Sequence, residues 1–143
     1  MDKTVLSYLK NTVSMYPDKT ACIDDTERLT YRELDDKSGE VAFNLIKLCL
    51  NREPVPVVMK KSCKAYVVLW GIIKAGCCYV IIDGNQPNVR IESILTTLNA
   101  SVVICENDIT KKAPSYTGKV LNYDDLICTD NTVCTGESDD TAN

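Results

Sequence analysis

The chain has 143 residues, is 45% hydrophobic, and carries a formal charge of −4 with an isoelectric point near 4.8. That length and apolar content suffice for one domain with its own core, and the acidic balance offers no electrostatic footprint for nucleic acid. No apolar run approaches the roughly 20 residues that span a bilayer, and the alternating N-terminus is unlike a signal peptide, so the expected setting is cytoplasmic with no membrane partner.

Thr4 to Met15 reads as an amphipathic helix, with Val5, Leu9 and Val13 at i+4 spacing and Pro17 just beyond its end. Ala21-Cys22-Ile23 and Arg28-Leu29-Thr30 flank Asp24-Asp25-Thr26-Glu27, a short hairpin pattern. Thr30 and Glu33 then have the spacing of a capping box, and Leu29 and Leu34 that of a hydrophobic staple. The helix they start carries Leu34, Val41, Leu45 and Leu48 on one face and is expected to run to about Leu50, with Pro54 and Pro56 marking the break. Glu33, Asp35 and Asp36 sit beside the cap as dipole partners rather than an acid/base pair.

Val57-Val58-Met59 reads as a buried strand, and Ser62 as the cap of an almost wholly apolar helix over Ala65 to Ile73. Gly71 within that helix suggests close backbone packing. Lys74 suits the negative helix end, and Gly76 a left-handed cap. Tyr79 to Ile82 is a β-branched and aromatic run expected to be buried on both faces. Pro87 fits a first helical position, and Ile91, Ile94, Leu95 and Leu98 give a further amphipathic helix before a strand at Ser101 to Cys105. The β-α-β-α-β order from Val57 to Cys105 requires a mostly parallel sheet with crossover helices on its faces. Lys119 to Asn122 adds a strand and Tyr123 to Ile127 a helical turn. Sparse apolar residues from Thr129 onward predict a disordered acidic tail over 129–143, leaving 1–128 as the folded part.

Little reactive chemistry is visible. Histidine is absent, which excludes Ser-His and Cys-His nucleophile systems. The eight cysteines (22, 49, 63, 77, 78, 105, 128 and 134) form no C-x-x-C pair, so zinc patterns fail and most read as small buried hydrophobes. Strand alternation points Cys77 and Cys78 to opposite faces, against a redox pair. Lys60, Lys61 and Lys64 read as a solvated loop, and the six scattered glycines cradle no phosphate. Ligands of parallel α/β sheets bind at the carboxyl ends of strands, which singles out Asp83. Asp83 suits cation or hydroxyl binding but more simply caps the loop before Pro87.

Two blocks resemble a known family. Leu29-Thr30-Tyr31-Arg32-Glu33-Leu34 is similar to the Leu-Thr/Ser-Tyr-x-Glu-Leu block of adenylate-forming (AMP-binding) ligases. Ile73-Lys74-Ala75-Gly76-Cys77-Cys78-Tyr79-Val80-Ile81-Ile82-Asp83 is similar to their Leu-Lys-Ala-Gly-x-Ala-Tyr-Val-Pro-Ile-Asp-Pro block, with Pro87 and Arg90 matching the Pro-x-x-Arg that follows. Tyr16-Pro17-Asp18-Lys19-Thr20-Ala21 also resembles the family's opening. Ile81 and Gly84 stand where the family has prolines, and Cys78 where it has alanine. The second block is most like amino-acid adenylation domains of nonribosomal peptide synthetases and D-alanine-activating ligases.

The resemblance, spanning residues 4 to 127, implies part of the large subdomain of an adenylation fold. The complete enzyme would activate an amino acid, or another carboxylic acid, with ATP and Mg²⁺ as an acyl adenylate, then pass it to a carrier-protein thiol. Asp139-Asp140-Thr141-Ala142-Asn143 resembles the residues preceding the family's phosphate loop. That loop and the later motifs are therefore expected beyond Asn143. No catalytic, cofactor-binding or metal residue is assigned to this chain, which alone should need no cofactor and be inactive. The alternatives are a non-catalytic binding subunit, or a split-enzyme partner of a separately encoded polypeptide carrying the rest of the domain. A small nucleotide-binding protein is disfavoured, since no phosphate loop occurs in these residues.

Overall fold

The structure, a computed structural model, describes residues 5–48, 50, 52–106 and 109–127. Thr4, Cys49, Cys128, Cys134 and the expected tail at 129–143 lie outside the described residues, as does its boundary after residue 128. In chain order the elements are α1 (Val5–Met15), β1 (Thr20–Ile23), β2 (Arg28–Thr30), α2 (Tyr31–Ile46), β3 (Pro54–Val58) and α3 (Cys63–Lys74). They continue with β4 (Cys78–Ile81), α4 (Asn88–Leu98), β5 (Val102–Cys105), β6 (Lys119–Asn122) and α5 (Tyr123–Leu126). β1 and β2 form an antiparallel hairpin, and the other strands a parallel four-stranded sheet in the order β4-β3-β5-β6. None of the described helices is long and apolar enough to cross a membrane.

Strand alternation divides the core in two. Val55, Val57, Val102, Ile104 and Leu121 face α2 and α3, packing with Leu34, Val41, Leu45, Val67, Val68 and Ile72. The intervening Val58, Val103 and Cys105 face α4, where Ile91 and Leu95 close a second cluster. The step from β3 to β4 and the step from β4 to β5 run in opposite directions across the sheet, with helices on opposite faces. Both crossovers therefore have the same hand, as a single chirality rule requires.

The start of α2 leaves no donor of its first turn unpaired. Tyr31 N–H donates to Lys19 O and Arg32 N–H to Pro17 O, both at 2.9 Å. Glu33 N–H donates to Thr30 Oγ1 at 3.2 Å, and Thr30 N–H to Glu33 Oε1 at 2.9 Å, completing the expected box. Leu29 and Leu34 are both buried in the cluster beneath it. The Tyr16–Ala21 and Leu29–Leu34 segments are thus one hydrogen-bonded joint.

α2 then packs along α3 at close range. A Cβ on Gly71 would stand 2.3 Å from Val41 Cγ1 and 3.1 Å from the Ser38 carbonyl oxygen. Ser38, fully buried, supplies a small side chain at this approach and satisfies its hydroxyl on Asp35 O at 3.2 Å. One turn on, Lys74 Nζ meets Asp35 Oδ1 at 2.7 Å and Asp35 O at 2.9 Å. Asp35 is therefore a partner across helices and not only a dipole partner. The Lys74 side chain is 20% exposed and that of Asp35 41%, so solvent holds the pair to at most about 1 kcal/mol. Gly76 follows with φ 82°, the left-handed turn into β4.

Several expectations need correction. α2 ends at Ile46 rather than near Leu50, because its last turn tightens: Leu48 N–H bonds Leu45 O at 3.0 Å. Pro54 and Pro56 lie inside β3 rather than before it, and the strand ends at Val58, one residue short of Met59. Ile82 N–H donates to Val57 O at 2.9 Å, so residue 57 faces β4 and the two prolines, offset from it by odd numbers, face β5. There the β3–β5 pairing is confined to Val57 and Val58, and the missing N–H groups interrupt no ladder. β4 is not buried on both faces; it is a sheet edge, with Tyr79 41% and Ile81 60% exposed. α3 buries Val67, Val68, Gly71 and Ile72, but Leu69, Trp70 and Ile73 are only half-buried. Pro87 is the N-cap of α4 rather than its first residue. Lys64 lies on α3 with its ammonium 5.4 Å from the Tyr123 ring centroid, outside the expected loop. Among the described cysteines, Cys63 and Cys105 are buried, Cys22 and Cys77 half-buried, and Cys78 exposed.

The hairpin is tied to α3 by Asp24. Its Oδ1 accepts the N–H groups of Thr26 and Glu27, both at 2.8 Å, shaping the turn. Its Oδ2 accepts Cys63 N–H at 2.7 Å, one of the donors at the start of α3, beside the Ser62 cap on Ala65 N–H at 3.1 Å. Backbone donors from Cys63, Thr26 and Glu27 hold the Asp24 carboxyl well below the ordinary carboxylate value of 3.8.

Two measurements check these joints. Thr30→Ala should cost about 1 kcal/mol, and a double-mutant cycle with Glu33→Ala should be non-additive because the two groups share one box; strictly additive losses would mean that the box does not form. For Asp24, the depressed native value means stability that is present above pH 3.8 and lost as pH falls through the folded value. The gap in urea midpoint between wild type and Asp24→Asn should therefore be wide near neutrality and close in acid. A gap independent of pH would contradict this role.

Candidate functional site

Asp83 does stand at the carboxyl end of the sheet, beside the point where the strand order reverses between β3 and β5. A cleft of about 210 Å³ opens there, lined by residues that end β3 (Val58, Met59, Lys60), follow β4 (Asp83, Gly84, Asn85) and end β5 (Cys105, Glu106). Ile109 and Lys112 close it from the turn that follows β5.

Its polar groups are occupied in holding these loops together. Asp83 Oδ1 accepts Asn85 N–H at 2.9 Å, and its carbonyl accepts Gln86 N–H at 3.2 Å, so Asp83 shapes the turn ahead of Pro87. Glu106 Oε1 accepts Lys60 N–H at 2.6 Å, bridging the ends of β5 and β3. Lys112 Nζ donates to Gly84 O, tying the segment after β5 to the loop after β4. Asp83 was legible from the strand-end rule. Lys60, Glu106 and Lys112 were not, since each is distant in sequence from the partner it meets.

The cleft does not fit Mg²⁺-ATP. It is smaller than the roughly 300 Å³ at which small-molecule pockets begin. Asp83 and Glu106 are each engaged by a backbone N–H, and Lys112 by a carbonyl. No group of three or more Cys, Asp or Glu among the described residues is placed to hold a metal ion. No nucleotide step is therefore derived from these side chains. What the arrangement does is lock three loops at the switch point.

A second, more apolar groove of about 350 Å³ lies between the hairpin and α3, lined by Ala21, Cys22, Ile23, Tyr66, Leu69 and the buried Cys63 among others. Burial pushes the Cys63 thiol up to about 12, and the neighbouring Cys22 and Asp24 add to the effect. Cys22 is raised as well, first by burial and further by Glu27 and Asp24.

Comparison with known proteins places this fold. Residues 9–141 match the family model described as AMP-binding enzyme. A component of the mycosubtilin synthase of Bacillus subtilis is 32% identical over 125 residues, which are 87% of this chain and 5% of that protein. Among solved structures, an artificially fused adenylation–PCP di-domain, NpsA-ThdA from Klebsiella oxytoca, superimposes with a TM-score of 0.77 at 26% identity, covering 87% of this chain and 23% of that one. The Klebsiella oxytoca NpsA N-terminal subdomain, in complex with 3-hydroxyanthranilyl-AMSN, gives 0.77 at 25% identity, covering 88% and 32%. This chain thus spans less than a third of each of these relatives. The parallel sheet and its flanking helices are those of the N-terminal subdomain of nonribosomal peptide synthetase adenylation domains, and the chain belongs to the AMP-binding enzyme family.

Proposed function

We propose that this segment is scaffold for an adenylation domain that activates an amino acid with ATP and Mg²⁺ as an acyl adenylate and hands it to a carrier-protein thiol in the cytoplasm. The observation that carries this reading is the match over residues 9–141 together with the nature of the relatives, which are peptide synthetases and adenylation domains. The two family blocks support a scaffolding role. Leu29–Leu34 forms the capped start of α2, and Ile73–Asp83 the turn from α3 into β4 and the strand itself. Neither presents an unengaged acid, base or nucleophile to the cleft. Catalysis of adenylate formation depends most on donors placed where phosphoryl charge develops, and the described residues at the cleft supply no such set. By itself the segment forms no adenylate.

The exposed β4 edge favours a complementing polypeptide that carries the rest of the domain. Tyr79 and Ile81 project from a strand whose outer edge has no pairing neighbour among the described residues, a surface that pairs readily with another chain. Amino-acid-dependent exchange of pyrophosphate into ATP tests both statements. The segment alone should give no exchange above a no-enzyme blank, and co-expression with a polypeptide bearing the remaining adenylation motifs should restore it. Exchange by the segment alone, in a preparation free of host ligases, would overturn the scaffolding role.

A further inference from the structure

Two thiols from separate elements line the groove between the hairpin and α3. Cys22 lies on β1, and Cys63 is the first residue of α3. Their backbones are held close: Asp24, two residues after Cys22, accepts Cys63 N–H at 2.7 Å, and Cys63 Sγ reaches Glu27 O at 3.7 Å. Each thiol acts on the pKa of the other, Cys22 raising that of Cys63 and Cys63 lowering that of Cys22. Both line the groove, Cys22 half-buried and Cys63 buried.

We propose that Cys22 and Cys63 form an oxidisable dithiol, closed to an intramolecular disulfide by a small-molecule disulfide that reaches Cys22 through this groove. The Cys22 thiol loses its proton, and its sulfur attacks the incoming disulfide. A Cys22 mixed disulfide forms, and one thiolate leaves. Cys63 then loses its proton and attacks Cys22 Sγ, forming the Cys22–Cys63 bond and expelling the second thiolate. The two cysteines are oxidised by two electrons, and the small disulfide is reduced to two thiols. The order follows from access and acidity. Cys63 is buried, with its thiol held up to about 12, so Cys22 reacts first. The product would fasten covalently the joint that Asp24 makes by hydrogen bonds. This inference stands apart from the adenylation reading and its test needs no catalytic activity.

The full chain is treated with glutathione disulfide, quenched in acid with N-ethylmaleimide, digested with trypsin and mapped by mass spectrometry. Cleavage after Lys19, Arg28, Lys61 and Lys64 leaves Cys22 in peptide 20–28 and Cys63 in peptide 62–64, each with one cysteine. The expected product is the 20–28/62–64 cross-link, lighter than the two reduced peptides by two hydrogens, dominant over other pairings and reversed by dithiothreitol. Cys63→Ser should stop at the Cys22–glutathione adduct, and Cys22→Ser should leave Cys63 without glutathione. The same reaction in guanidinium should scatter the pairings. A persistent glutathione adduct on wild-type Cys22 without the cross-link would overturn the proposal, as would native pairings no more selective than those of the unfolded chain.

Discussion

The approach of α2 to α3 at Gly71 governs the placement of most of the chain. No side chain fits between the two helices there, because Val41 and the Ser38 carbonyl occupy the space that a Cβ would take. Interior packing tolerates such overlap only by shifting backbone or leaving rotamer minima. The Thr30–Glu33 box, the Lys74–Asp35 contact and the Gly76 turn lie together at one end of this antiparallel pair, where α2 begins and α3 ends. The two segments that carry the family resemblance are therefore the beginning of one helix and the end of the other, brought into register by a glycine between them.

From that helix pair the sheet follows. α2 and α3 cover one face through Val55, Val57, Val102 and Ile104, and α4 covers the other through Val58, Val103 and Cys105. The hairpin is attached by Asp24 to the start of α3 and by Lys19 and Pro17 carbonyls to the start of α2. At the carboxyl end of the sheet, Glu106 and Lys112 join loops that the topology brings together from opposite sides of β3. Residues that elsewhere would be read as an acid and a cation of a reaction centre are here the fasteners of loop ends. That is the physical basis of the proposal that the segment is scaffold.

Features with a local cause were legible in the sequence. The box at Thr30, the Ser62 cap, the Gly76 turn and the helix faces each depend on residues within a few positions of one another, and each formed. Gly71 was legible because a glycine amid apolar helical neighbours has few other uses. What depended on strand order was not. Tyr79 and Ile81 have the composition of a central strand, and only the order β4-β3-β5-β6 puts them at an edge. Pro54 and Pro56 looked like breakers because the side of β3 that lacks a pairing neighbour is a property of the sheet. Asp24 reaches α3 across the 39 positions that separate it from Cys63, and Lys74 spans the same interval to Asp35. At the cleft, Asp83 was named from its strand, while Lys60, Glu106 and Lys112 entered only through tertiary proximity.

The most direct test of this account is the stability of Gly71→Ala by urea unfolding. Helix propensity alone favours alanine by up to about 1 kcal/mol. The close approach of α2 predicts the opposite sign, a net loss of about 1–3 kcal/mol from overpacking against Val41 and the Ser38 carbonyl. A variant as stable as wild type, or more stable, would show that the two helices do not depend on this contact and would contradict the account.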